Sequence, residues 1–271
     1  MKKLYDKNEL WFALIWIFIY CGVTIPIRGN LGDESIFMLL GLLLIAAGIF
    51  VFVKKYRLEE KYGLVKWQGK ASDYWFFIPM LILMTGNLWR GFALAYSGVS
   101  QIFAVLSMLL VGFIEEMLFR GFLFRILLKK DPAPVAITIT AVTFGIGHRV
   151  NLLAGQASLE TVIQVIFAVA WGYILTFVFY KSGSLLVCIT VHSLVDAFSV
   201  FAGENITMEW VYFGATILIA VIYCLYLSRK PAALKKSCEL FHETQKEGRA
   251  VKTLCPLCLF KSVNFDLAQN A

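Results

Sequence analysis

The 271 residues are 59% hydrophobic and only 16% charged, with a mean hydropathy of +0.74 and a formal net charge of +7. A water-soluble fold of this length has no interior large enough to hide that much apolar surface. The positive charge lies in short stretches between apolar runs, where it faces an anionic leaflet, so nucleic acid is not needed to explain it.

Taken in chain order, apolar stretches near the ~20 residues needed to cross a bilayer fall at about Leu10–Ile27, Ile36–Val53, Tyr74–Leu94, Gln101–Leu128, Val135–Gly147, Leu159–Tyr180, Ser184–Phe201 and Met208–Leu227. The expected fold is an all-α, polytopic bundle of about eight spans. The first run is too long for a signal-peptide core and lacks a small-residue cleavage site, so it reads as a retained helix. The third is blurred by Asn87, Trp89 and Arg90, and the fifth is short. Cys21, Cys188 and Cys224 lie inside apolar runs as small hydrophobes, with no disulfide framework. Residues 1–228 form one transmembrane domain and 229–271 a short tail.

Positive residues set an orientation. Lys2, Lys3 and Lys7 precede the first span, Lys54, Lys55, Arg57, Lys61, Lys66 and Lys70 crowd the second connection, and Arg125, Lys129, Lys130, Lys181, Arg229, Lys230, Lys235 and Lys236 follow later even-numbered spans. The opposite connections carry Asp33, Glu34, Glu160, Glu204 and Glu209, with only Arg28, Arg90 and Arg149 as positives. Both termini are therefore expected in the cytoplasm. The stretch Lys54–Lys70 reads equally as an interfacial amphipathic helix or as a solvated loop.

Ionisable groups within spans cost roughly 2.5–3.5 kcal/mol each on insertion scales and need partners, water or a function. Glu115, Glu116 and Arg120 lie in the fourth span, His148 ends the fifth, and His192 and Asp196 lie in the seventh. Glu116 and Arg120, four apart, share a helix face and suit an ion pair; His192 and Asp196, also four apart, present together on one face. Glu115 lies ~100° further round and must look to another helix. Counted from the basic ends, these groups reach similar depths, ~12–20 Å, which favours one shared site between spans four, five and seven. A carboxylate, two imidazoles and a second carboxyl suit hydrolysis: water must lose a proton and a carbonyl oxygen must be stabilised as it gains charge. Glu115, His148 and His192 are also usual ligands of a divalent metal such as zinc, although no HExxH motif is present; a site requiring no cofactor explains the residues equally well and is favoured.

Three signatures occur in order, each within a span: Glu-Glu-x-x-x-Arg (Glu115, Glu116, Arg120), Phe-x-x-x-His (Phe144, His148) and His-x-x-x-Asp (His192, Asp196). Together they resemble the CAAX-protease and bacteriocin-processing family, also called CPBP or Abi, to which the Ras-converting prenyl-protein endopeptidases belong. The resemblance covers roughly 101–201. It implies an intramembrane endopeptidase of the bacterial cell membrane with a helical core and a cavity opening to the cytoplasm, acting on a membrane-associated peptide or lipidated protein. Glu115 would activate water with help from His148, His192 and Asp196 would stabilise the oxyanion, and Glu116–Arg120 would be structural. Asp196 departs from the eukaryotic Asn at that position. An ionised carboxylate cannot donate to an oxyanion, so it must be protonated, orient His192 or help hold a metal.

In the tail, Cys238, His242, Cys255 and Cys258 have a spacing compatible with tetrahedral zinc, but incidental cysteines in a flexible tail are the favoured reading. The competing functional class is a non-catalytic membrane protein, such as an immunity factor, scaffold or transporter. A transporter is expected to carry repeated halves or broken helices around a midplane site, and neither is evident in the sequence.

Overall fold

Helix starts follow capping chemistry. Asn8 accepts hydrogen bonds from the Leu10 and Trp11 amides, Ser35 from Met38 and Asn205 from Met208, each satisfying a donor left open at a first turn. The computed structural model describes residues 1–67, 70–148, 158–230 and 232. Its helices are α1 (Lys2–Lys7), α2 (Glu9–Leu31), α3 (Ile36–Lys55), α4 (Phe77–Met84), α5 (Val99–Lys130), α6 (Ala133–Gly147), α7 (Ser158–Ser182), α8 (Leu185–Ser199) and α9 (Ile206–Leu227). The tail cysteines, His242 and Arg149 lie outside the described residues.

Five of these helices, α2, α3, α5, α7 and α9, are long and apolar enough to cross a membrane, while α6 and α8 are shorter apolar helices of 15 residues each. The chain is a multi-pass, all-helical membrane protein. Large apolar side chains such as Phe18, Leu44, Ile78 and Leu218 cover the outside, as lipid contact requires. Exposed Trp11, Trp67 and Trp75 lie near one end of the bundle and Trp210 near the other, where interfacial aromatics belong.

The third expected span is not one helix. It divides into a 3₁₀ turn (Ala71–Tyr74), α4 and a second 3₁₀ turn (Gly86–Arg90). Two tertiary contacts fix the break. Gly86 packs so closely on Tyr212 that a Cβ there would lie 2.1 Å from the ring, and the Asn87 side chain donates to the Val195 carbonyl at 2.8 Å. A broken helix beside the core is thus present, contrary to the sequence reading.

The Lys54–Lys70 stretch is neither an interfacial helix nor a solvated loop. It turns back into the bundle, and Leu185 N donates to Gly63 O at 2.7 Å while Ser184 Oγ donates to Val65 O at 2.6 Å. Tyr62 and Lys61 are buried. Lys61 Nζ lies 2.9 Å from Glu9 and also donates to the Tyr5 hydroxyl; Lys129 pairs with the other Glu9 oxygen at 2.8 Å. Basic residues from two connections therefore gather at one end of the bundle, around one carboxylate. The opposite end is tied by Arg28–Asp33 at 2.8 Å, Arg90–Glu209 at 3.2 Å and a backbone bridge between Phe92 and Ala202.

Burial lowers the Lys61 pKa from 10.5 to about 8, against the attraction of Glu9 and with added repulsion from Lys129. Because the folded value lies below the unfolded one, stability is lost as pH falls through about 8 and recovered toward 10.5. Detergent-solubilised protein is expected to gain up to about 3 kcal/mol from this group over that window. Thermal unfolding of Lys61→Met, followed across the same range, should show a flattened pH dependence.

Candidate active site

α5 changes its hydrogen-bonding pattern just beyond the glutamates. Val99–Glu116 is α-helical, and Met117–Phe124 is π-helical, a local widening that recurs at functional sites. One turn earlier, α8 crosses almost in backbone contact: a Cβ at Gly112 would lie 2.4 Å from Ser193 N. Small residues permit such approaches between membrane helices. Ser193 Oγ donates to Leu109 O at 2.9 Å and locks the crossing, which delivers the adjacent His192 to the carboxylate pair.

Glu116 is fully buried and its Oε1 is shared. It receives Arg120 Nη1 at 2.7 Å and His192 Nδ1 at 2.8 Å. The expected ion pair is present, but it is one half of the arrangement, because Glu116 also fixes the imidazole. Arg120 is held further by Thr176 Oγ1 at 3.3 Å and Gly172 O at 3.4 Å from α7. With Nδ1 spent on Glu116, His192 turns Nε2 toward Glu115 Oε2 (3.7 Å) and Asp196 Oδ2 (3.4 Å).

Glu115 does look to other helices. Besides His192, its Oε1 accepts a 2.7 Å hydrogen bond from the Tyr20 hydroxyl of α2. Sequence reasoning missed Tyr20, because a tyrosine in an apolar run is an ordinary membrane residue. His148 caps α6 and its Nδ1 donates to Phe144 O at 3.1 Å, which fixes that tautomer and leaves Nε2 as the free nitrogen. Phe144 proves to be more than a motif marker. Its ring meets His148 and His192 edge-on, with centroids 5.2 and 5.6 Å away, and the Arg120 guanidinium lies 4.2 Å from its centre.

All four residues expected to act chemically, Glu115, His148, His192 and Asp196, line one cavity of about 660 Å³. It is bounded not by three spans but by five long or apolar helices, since α2 contributes Tyr20 and α7 contributes Trp171, while Asn87 enters from the broken segment. Among the described residues, no group of three or more His, Cys, Asp or Glu side chains is placed to hold a metal ion. The lining runs from Glu115 toward Arg28, Asp33 and Ser199, the end away from the basic residues.

Residues 97–198 match the family model described as type II CAAX prenyl endopeptidase Rce1-like. That stretch of the chain is thus similar to a CAAX-protease domain. That domain comprises most of α5 through α8 and contains all three motifs, whereas α2, with Tyr20, lies outside it. No curated protein and no solved structure matches the chain.

Within the CAAX-protease domain the Glu116–Arg120 pair has 0% side-chain exposure on both sides. Removing one partner of such a pair costs about 3–5 kcal/mol, because the other charge is left buried and uncompensated. Glu116→Gln is expected to lower thermal stability in detergent by an amount of that order, and Glu115→Gln, on the cavity wall, by distinctly less. Equal melting of the two variants would contradict this division.

Proposed function

We propose that the chain is an intramembrane endopeptidase in which Glu115 activates water for attack on a peptide bond of a membrane-associated substrate. The observation that carries this reading is the convergence of Glu115, His148, His192 and Asp196 on one cavity within a domain of a peptidase family. Glu115 takes a proton from water as the oxygen attacks the carbonyl carbon, and the Tyr20 hydroxyl holds the carboxylate in place. His148, with Nε2 free, assists the proton transfer and returns the proton to the leaving amine. His192 is anchored through Nδ1 on Glu116, so that Nε2, when protonated, donates to the oxyanion. Asp196, 3.4 Å from that nitrogen, steadies the imidazole rather than donating itself. Glu116 and Arg120 hold the frame.

Water activation by Glu115 is the form of the reaction we favour, since the Tyr20 hydroxyl and the His192 imidazole hold its carboxylate at the cavity wall. A prenylated CAAX-type tail and a bacteriocin-like peptide are the two membrane-associated substrate classes this reading admits. The excess of Lys and Arg at the basic end of the bundle supports a cytoplasmic side for that end. The broken segment that brings Asn87 to the cavity favours a transport function on the same fold, and turnover separates the two.

With purified protein and a fluorogenic peptide library, Glu115→Gln, His148→Ala and His192→Ala are expected to abolish cleavage while the proteins remain folded; unchanged turnover in Glu115→Gln would overturn the assignment. Tyr20→Phe deletes a hydrogen bond to a charged group worth about 1.5–3 kcal/mol, so kcat is expected to fall roughly 10- to 100-fold. Activity is expected to survive a strong chelator, and loss reversed by added zinc would favour the metal route.

A further inference from the structure

We infer that the crevice between α7 and α9 holds one acyl chain of an anionic phospholipid, whose headgroup rests on Arg229 and Lys230. The inference goes beyond the peptidase reading and does not depend on it.

The crevice is made by residue size. Ala170 and Ala220, 5% and 6% exposed, form its floor, while Ile166, Val221 and Leu225 stand on its rim. It encloses about 380 Å³, and no charged side chain lines it. Left empty, such a gap forfeits the dispersion contacts of every atom along it. On the outside of a membrane bundle, lipid chains are the molecules in place to fill it.

Helix geometry separates this crevice from the cavity around Glu115. On α7 the cavity wall is Gln164, Phe167, Ala168 and Trp171, whereas the crevice wall is Val165, Ile166, Val169, Ala170 and Tyr173. At about 100° per residue the two sets point in nearly opposite directions. An occupant of the crevice therefore lies behind α7 from Glu115. That placement suits a resident lipid and not a substrate under cleavage.

Charge selects the headgroup. On α9 the lining residues Ile217, Ala220, Val221, Cys224 and Leu225 recur at three- and four-residue steps, and the next two places on that face are Ser228 and Arg229. The helical path continues through them, since Arg229 N donates to Tyr226 O at 3.2 Å and Lys230 N to Leu227 O at 3.1 Å. Arg229 and Lys230 are exposed, and Lys181 Nζ donates to Lys230 O, which brings a third positive charge to the same turn. Trp75 meets Tyr226 with ring centroids 5.2 Å apart, and Lys230 Nζ lies 5.0 Å from the centre of the Tyr226 ring. Basic side chains beside Trp and Tyr are what a layer of anionic headgroups attracts. From Arg229 down to Ile217 the helix runs about 18 Å, and one leaflet of hydrocarbon is about 15 Å deep. A chain hung from a headgroup at Arg229 thus reaches the far end of the crevice.

The full chain in detergent is offered equal amounts of phosphatidylglycerol and phosphatidylcholine with the same acyl chains, and retained lipid is counted by native mass spectrometry. At roughly 5-fold per basic side chain, Arg229 and Lys230 are expected to give phosphatidylglycerol an advantage of about 25-fold. The double substitution Arg229→Gln with Lys230→Gln is expected to abolish that advantage. Val221→Trp, on the exposed rim where the fold is spared, is expected to lose retention of both lipids. Equal retention of the two lipids by the parent chain, or unchanged retention in Val221→Trp, would overturn the inference. So would displacement of the phospholipid by an equimolar farnesylated peptide, which would assign the crevice to a lipidated substrate instead.

Discussion

A single carboxylate oxygen, Glu116 Oε1, receives both the Arg120 guanidinium and the His192 imidazole in the interior of the bundle. In a low-dielectric interior neither cation nor carboxylate is tolerated alone. Their mutual neutralisation fixes α5 to α8 through His192 and α5 to α7 through the contacts of Arg120 with Thr176 and Gly172. The geometry of the cavity follows. Once Nδ1 of His192 is committed, Nε2 has only one direction to face, and that direction holds Glu115 and Asp196.

Helix packing is subordinate to this junction and supports it. The close crossing at Gly112 and the Ser193–Leu109 hydrogen bond set the height of His192 along α5. The Phe144 ring fills the space between the two imidazoles and the guanidinium, so three cationic or polar groups share one aromatic spacer. Edge-to-face and cation–π contacts of this kind orient rings as well as contributing energy.

The membrane class, the order of most helices and the membership of the site were legible because each leaves a strong mark on composition. Charges inside apolar runs are costly, so Glu115, Glu116, Arg120, His192 and Asp196 announced themselves, and a spacing of four announced which pairs share a face. Tyr20 left no such mark, since its hydroxyl costs little in a membrane helix and its partner is 95 residues away in the chain. The break at Gly86 and Asn87 depends on Tyr212 and Val195, contacts that no local pattern contains. Depth along each helix can be counted from sequence, but which end of the cavity is packed shut depends on aromatic rings from α2, α5, α7 and the loop after α3 meeting in space.

The π-helical stretch Met117–Phe124 gives α5 two separately aimed halves. An i→i+5 ladder turns through a smaller angle per residue than an α-helix, so the half beyond Phe124 is rotated from the azimuth a uniform helix would give it. The upper half points Glu115 into the cavity, while the lower half sets the Arg125 guanidinium 4.9 Å from the centre of the Phe179 ring and Lys129 against Glu9. One helix thereby serves both as a wall of the reaction space and as a peg in the sealed end. Shortening the stretch by one residue would put these two tasks out of phase, so its length is constrained even where its side chains are only lipid-like.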